Sequence, residues 1–176
     1  MDVEEAMCKF EIYYEHEYQV EKLATQYFDV VYDMLTKYQD KFNYYQIYSK
    51  DDFKHYFTNT DFVHSYVVLD KSGEVLDFYS FYTLPYVEAK TNKRVNAAVL
   101  HLYTSTNVTQ LTIINSLILS AQELDCDVLT LTNIMENNDI ICDNLSRFIK
   151  DTSHTYYNLY NVRCPDLFPE QICGFV

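Results

Sequence analysis

Only two of the 176 residues are glycine, Gly73 and Gly174, against an average usage of about 7%. This scarcity excludes whole classes of site. A loop that cradles phosphate presents consecutive backbone N–H groups without obstruction from Cβ atoms, which is why P-loops and dinucleotide fingerprints are glycine-rich. The chain has no such loop. Gly73 closes Asp70-Lys71-Ser72-Gly73 between two β-branched and aromatic runs, where a residue able to take positive φ makes a hairpin turn.

The length suits one domain, large enough to bury roughly 70% of its unfolded surface around a single core. With 48% hydrophobic residues, 18 Tyr and 11 Phe, the chain carries enough large core formers to fold in spite of a formal net charge of -13. Lys and Arg number 13 against 26 Asp and Glu, so a phosphate backbone or anionic lipid surface is repelled at long range and a basic peptide is the better partner. The acidic residues Asp2, Glu4, Glu5, Glu11, Glu15, Glu17 and Glu21 crowd the start of the chain and read as a solvated face. The longest near-apolar run, Leu111 to Ala121, is far short of the ~20 residues of a membrane span. The N-terminus lacks the basic flank and apolar stretch of a secretory signal, and five cysteines leave one unpaired, which together predict a reducing, cytoplasmic setting.

Apolar positions Val20, Leu23, Ala24, Tyr27, Phe28, Val31, Leu35, Tyr38 and Phe42 recur at three and four, predicting one amphipathic helix over 20–42. Ser49 with Asp51 and Asp52 caps a short helix carrying Phe53, Tyr56 and Phe57. Strands are predicted at Phe62–Leu69, Glu74–Leu84 and Val95–Tyr103. A helix at Leu111–Leu124, a strand at Asp127–Thr132 and a helix at Asn138–Ile149 come next. A closing pair is predicted around Thr155–Arg163 and Gln171–Phe175. This order makes an α/β (α+β) fold, a mixed twisted sheet flanked by helices, with no repeats and no linker to divide it.

Cys142, Cys164 and Cys173 lack the spacing of metal ligands, and buried thiols are the simpler reading. His55, His64 and His101 lie in aromatic or strand contexts, where a structural histidine is commoner than a general base. The pairs Tyr13-Tyr14, Tyr44-Tyr45 and Tyr156-Tyr157 are expected to serve core and sheet packing.

Three segments carry a resemblance. Gly73-Glu-Val-Leu-Asp-Phe-Tyr-Ser-Phe-Tyr-Thr-Leu-Pro85, Ile134-Met-Glu-Asn137 and Leu159-Tyr-Asn-Val-Arg-Cys-Pro165, in that order, resemble the C-terminal half of the eukaryotic glycylpeptide N-tetradecanoyltransferases (N-myristoyltransferases). The likeness runs from Met34-Leu-Thr-Lys-Tyr-Gln-Asp-Lys-Phe42 to the end of the sequence. The resemblance implies a single GNAT-like acyltransferase lobe, the second of two in that family. There the first lobe holds acyl-CoA and the second shapes the peptide groove and donates its terminal carboxylate as base. It also implies a substrate peptide with an N-terminal glycine and basic residues downstream.

Carried onto this chain, the resemblance places Tyr82, Tyr86, Val99 and Asp151 on the peptide side and Val176 at the catalytic carboxylate. Tyr86 stands where the family has a small serine, and Val99 where it has a tyrosine, so Tyr86 is expected to refill the volume that Val99 vacates. Asp151 lies in Lys150-Asp-Thr-Ser153, which resembles the family's acidic loop without its glycines. If Gly174 matches the family's tail glycine, the carboxylate of Val176 falls about 7 Å short; a shifted register around Pro165 to Pro169 would instead restore it. The segment Thr104-Ser-Thr-Asn-Val-Thr-Gln110, where single-lobe GNAT enzymes bind pyrophosphate, has neither glycine nor a basic residue. The lobe is thus expected to hold no cofactor of its own, to meet myristoyl-CoA only if a first lobe is supplied in trans, and to be inactive alone. A homodimer or partner lobe is expected, because a lone lobe exposes the surface its fellow would cover. Two further readings are a non-catalytic relative that binds peptides and an interaction protein that uses the lobe's surface only.

Overall fold

The computed structural model describes residues 15–58, 60–87, 89, 91–143, 148–150, 154–156, 158, 160–161 and 163–174. The predicted hairpin is its centre. The Asp70 carboxylate accepts from the Ser72 and Glu74 N–H groups at 2.8 and 2.9 Å and from the Ser72 hydroxyl, while Gly73 takes φ +86°. The Ser72 hydroxyl and these N–H groups hold the Asp70 carboxyl below the usual carboxylate range. The turn joins β3 (Val63–Leu69) to β4 (Val75–Val87). With β1 (Gln19–Lys22), β5 (Arg94–Tyr103) and β6 (Val128–Thr130) these form a sheet of order β1-β3-β4-β5-β6, parallel only between β5 and β6.

Helices cover both faces, because successive strand residues point opposite ways. On one face Phe78 of β4 meets Phe57 and Phe53 of α2 (Lys50–Phe57) at ring-centre distances of 5.6 and 6.3 Å. Phe53 in turn packs on Phe28 of α1 (Phe28–Gln39). On the other face the Tyr79 hydroxyl reaches Ser120 at 2.8 Å and the Ser116 carbonyl at 3.3 Å in α3 (Gln110–Glu123). Ser49 and Asp52 form a complete capping box on α2, and Thr109 caps α3 by accepting from Thr112 N–H. A further α-helix is α4 (Asn137–Asp143). None of the helices described is long and apolar enough to cross a membrane.

Four expectations are revised. The stripe over 20–42 does not make one helix. Gln19–Lys22 instead extends along the outer edge of β3, Val20 opposite Val68, and the helix starts only at Phe28. Pairing the otherwise open ladder of β3 outweighs the helical period at those positions. A short strand β2 (Tyr44–Tyr45) pairs in parallel with β7 (Ile172–Cys173), so the closing segment joins β2 rather than a strand at 155–163. Among the described residues of 155–163 none is in a strand; Tyr156 and Tyr160 are 80% and 88% exposed, so neither ring packs a core. Among the described residues, the predicted helix Asn138–Ile149 is helical over Asn137–Asp143, and 148–150 are not helical.

β5 carries a bulge: Ser80 faces Leu102 and Phe81 faces Leu100, which leaves His101 without a cross-strand partner. The His101 ring stacks on Phe57 at 5.0 Å and meets Tyr82 edge-on at 6.3 Å. Burial among these rings pushes its pKa down from 6.5 to about 4. Unfolded, the same histidine takes its proton below about 6.5, so the unfolded chain binds more protons and stability falls as pH drops from 6.5 toward 4. Urea unfolding across this window is expected to show that loss, and His101→Phe, which keeps the stack, should flatten the curve by on the order of 2 kcal/mol. An unchanged pH profile in the variant would contradict the assignment.

Candidate functional site

β4 runs past the end of β3. The Thr83 N–H donates to the Phe62 carbonyl at 2.8 Å, and by strand alternation the next N–H on that edge would belong to position 85, which is proline and has none. The ladder to β3 stops there, while β4 and β5 continue as a two-stranded ribbon with Leu84 opposite Ala97 and Tyr86 opposite Val95. Tyr82, Leu84 and Tyr86 share one face with Val95, Ala97 and Val99. It is the α2 face, since Tyr82 abuts His101, which stacks on Phe57. An apolar panel therefore leads from buried Val99 and Ala97 out to Leu84 and Tyr86, which are 47% and 48% exposed.

The panel brings Tyr82, Tyr86 and Val99 together, with Tyr82 directly across from Val99. Tyr86 stands across from Val95, roughly 13 Å along the strand from Val99 at about 3.3 Å per residue. The residue that shares Val99's space is therefore Tyr82, and Tyr86 sits too far along the ribbon to refill it. Asp151 and Val176 lie outside the described residues.

A second cluster gathers where the chain returns to the core. Glu136 accepts from the Tyr38 hydroxyl and Lys41 ammonium at 2.7 Å and from the Gln110 amide at 2.8 Å. Burial raises the Glu136 pKa, but the bonds from Lys41 and Tyr38 outweigh it and hold the carboxyl below the usual range. Next to it the Tyr103 hydroxyl donates to Asn137 at 2.9 Å, and the Asn137 amide donates to the Thr132 carbonyl. Met135 takes φ +58°, a conformation that costs a side chain of its size about 1–2 kcal/mol, and from there its N–H donates to the Ile172 carbonyl at 2.9 Å. Burial pushes the Cys173 thiol up to about 12 and the Tyr38 and Tyr103 phenols well above their ordinary value. These groups keep their protons at neutral pH. The cluster anchors β7 to α1 and α3 and offers no nucleophile. Among the described residues no group of three or more His, Cys, Asp or Glu side chains could hold a metal ion.

The loop from β5 to α3 is organised by a residue not singled out in the sequence. The Asp77 carboxylate, buried in β4, accepts the N–H groups of Thr106, Asn107 and Val108. Its signal was present: one acid in the otherwise apolar and aromatic run Val75-Leu-Asp-Phe-Tyr79, where a carboxylate persists only if fully hydrogen-bonded.

Residues 1–172 match the family described as "Myristoyl-CoA:protein N-myristoyltransferase, C-terminal domain". A glycylpeptide N-tetradecanoyltransferase of Drosophila melanogaster is 29% identical over 154 residues, which cover 86% of this chain and 32% of that protein. The chain spans about a third of the length of that relative. Among solved structures, the Saccharomyces cerevisiae N-myristoyltransferase with bound myristoyl-CoA superposes with a TM-score of 0.68 at 20% identity, covering 81% of this chain and 38% of that one. A ribosomal-protein-alanine N-acetyltransferase from Brucella melitensis superposes with a TM-score of 0.57 at 14% identity over 81% of this chain and 99% of its own. The fold is thus one GNAT-like lobe, as expected.

Glu136→Gln removes the charge that Tyr38, Lys41 and Gln110 share and should cost about 1–3 kcal/mol in urea unfolding. It should also speed hydrogen exchange at the Met135 amide. Unchanged exchange there would mean that Glu136 does not hold the returning chain.

Proposed function

Because the chain belongs to the N-myristoyltransferase family and matches its C-terminal domain, we propose that it is the peptide-binding half of a glycylpeptide N-tetradecanoyl transfer whose acyl-CoA site lies on a separate lobe. The observation that carries this reading is the panel of Tyr82, Leu84, Tyr86, Val95, Ala97 and Val99. It is apolar, half exposed and continuous with a rigid core, as a peptide site needs to be. Net charge of -13 favours an N-terminal ammonium and basic residues further along the peptide.

In the transfer the glycine nitrogen forms an amide bond to the acyl carbonyl carbon, the thioester C–S bond breaks and coenzyme A leaves as its thiol. The ammonium must first lose a proton to a base. His101 meets Tyr82 at the inner end of the panel and, with its pKa pushed down to about 4, is too weak a base to take one efficiently near neutral pH, while Tyr38 and Cys173 in the second cluster hold their own protons. The described residues therefore bind and orient the peptide and leave proton transfer and acyl binding to other groups. Substitution of the panel by Tyr86 and Val99 shifts the shape the peptide must fit. The partner this reading requires is an acyl-CoA lobe on another polypeptide or another segment.

A titration with Gly-initiated peptides, by calorimetry, tests the binding step. Measurable affinity is expected, lost when the peptide's N-terminal amine is acetylated, and Tyr86→Ala should weaken it about fivefold, corresponding to roughly 1 kcal/mol for a rim aromatic. With myristoyl-CoA present, the chain alone should give no turnover, and turnover should appear with a family acyl-CoA lobe added. Turnover by the chain alone, or no binding of any Gly-initiated peptide, would overturn the proposal.

A further inference from the structure

Where β5 gives way to α3, three consecutive backbone N–H groups converge on a single carboxylate. Thr106 donates to Oδ1 of Asp77 at 2.8 Å, and Asn107 and Val108 donate to Oδ2 at 2.7 and 2.8 Å. The Asn107 side-chain amide secures the loop by donating to the Leu76 carbonyl. The Thr104 hydroxyl accepts from Phe78 N–H, and Thr104 N–H donates back to the Phe78 carbonyl, tying the loop to β4 on the other side of Asp77. Asp77 is 0% exposed, and neither of the two ion pairs among the described residues includes it. A carboxylate without a cation in such a place costs several kcal/mol to bury unless its oxygens are fully bonded. The three donors supply those bonds.

Successive N–H groups curved around one point, just ahead of a long helix, form a concavity for anions. Here the anion is part of the chain. We infer that the loop Thr104–Thr109 is an anion-binding nest permanently filled by Asp77, so that Asp77 is a specificity-determining residue which bars phosphate-bearing ligands, coenzyme A among them, from this lobe. An external phosphate would have to expel a carboxylate fixed to β4, which is held in place at high effective concentration. It would also leave that carboxylate stranded in the core with no cation beside it. The inference rests on the proposed division of labour for its meaning, while occupancy of the nest can be read without any peptide.

The test is amide NMR of the full chain titrated with inorganic phosphate and, separately, chloride at matched ionic strength. In the wild type the Thr106, Asn107 and Val108 amides should stay unmoved by millimolar phosphate. In Asp77→Ala the same three amides should shift saturably with phosphate but not chloride, with an apparent affinity at least about tenfold above the wild type, and thermal stability should rise with phosphate alone. If Asp77→Ala does not fold in chloride, Asp77→Asn decides: it keeps one acceptor oxygen, and its three amides should still respond to phosphate. Saturable shifts in the wild type would overturn the inference, as would a folded variant with an unresponsive nest. Because no peptide enters the experiment, these outcomes leave the peptide-binding reading to be judged by its own titration.

Discussion

Phe78 and Tyr79 lie side by side in β4 and point to opposite faces, and the two helical layers are held through that alternation. Phe78 is wedged against Phe53 and Phe57. Tyr79 passes a fully buried ring through the other layer and ends in a hydroxyl bonded to Ser120 and Ser116. A large aromatic buries on the order of 200 Å², so this dipeptide secures more apolar contact than any neighbouring pair of aliphatics could. The hydroxyl of Tyr79 has a further effect: it ties the Ser116–Ser120 turn of α3 to β4, two turns beyond the Thr109 cap that starts the helix.

Much of this was legible in the sequence where local chemistry decides the outcome. The Asp70–Gly73 turn, the Ser49 cap and the strands on either side of the turn depend on residues within a few positions of one another, and they stand close to where their side-chain patterns put them. Two of the failures share a cause. Gln19–Lys22 became an edge strand and Tyr44–Tyr45 a two-residue partner for Ile172–Cys173 because distant segments needed a hydrogen-bond partner. Long-range demand of that kind leaves no periodic trace at the site that meets it.

The site divides in the same way. The sequence places Tyr82, Tyr86 and Val99 on one side but points to Tyr86 in Val99's space; the register of β4 on β5 sets Tyr82 there instead. The Glu136 cluster was harder to foresee, since Tyr38, Lys41, Gln110 and Glu136 come from three separate parts of the chain and only tertiary packing unites them. Met135 is the sharpest case. No rule of local propensity would put a methionine at positive φ, and it stays there because its N–H then meets Ile172 and the surrounding contacts hold it in place.

The proline at position 85 bears on how the ribbon can be read by another chain. An exposed strand edge usually invites a second strand to zip onto it through backbone hydrogen bonds, which is indifferent to sequence and a route to aggregation. On the edge that β3 abandons, the donor that would begin such a ladder does not exist. A strand laid along this edge would miss one hydrogen bond at position 85, so side chains across the ribbon's face, by shape and apolar contact, would weigh more in any pairing there. The same imino acid that ends one sheet thus makes a sticky margin a more selective one.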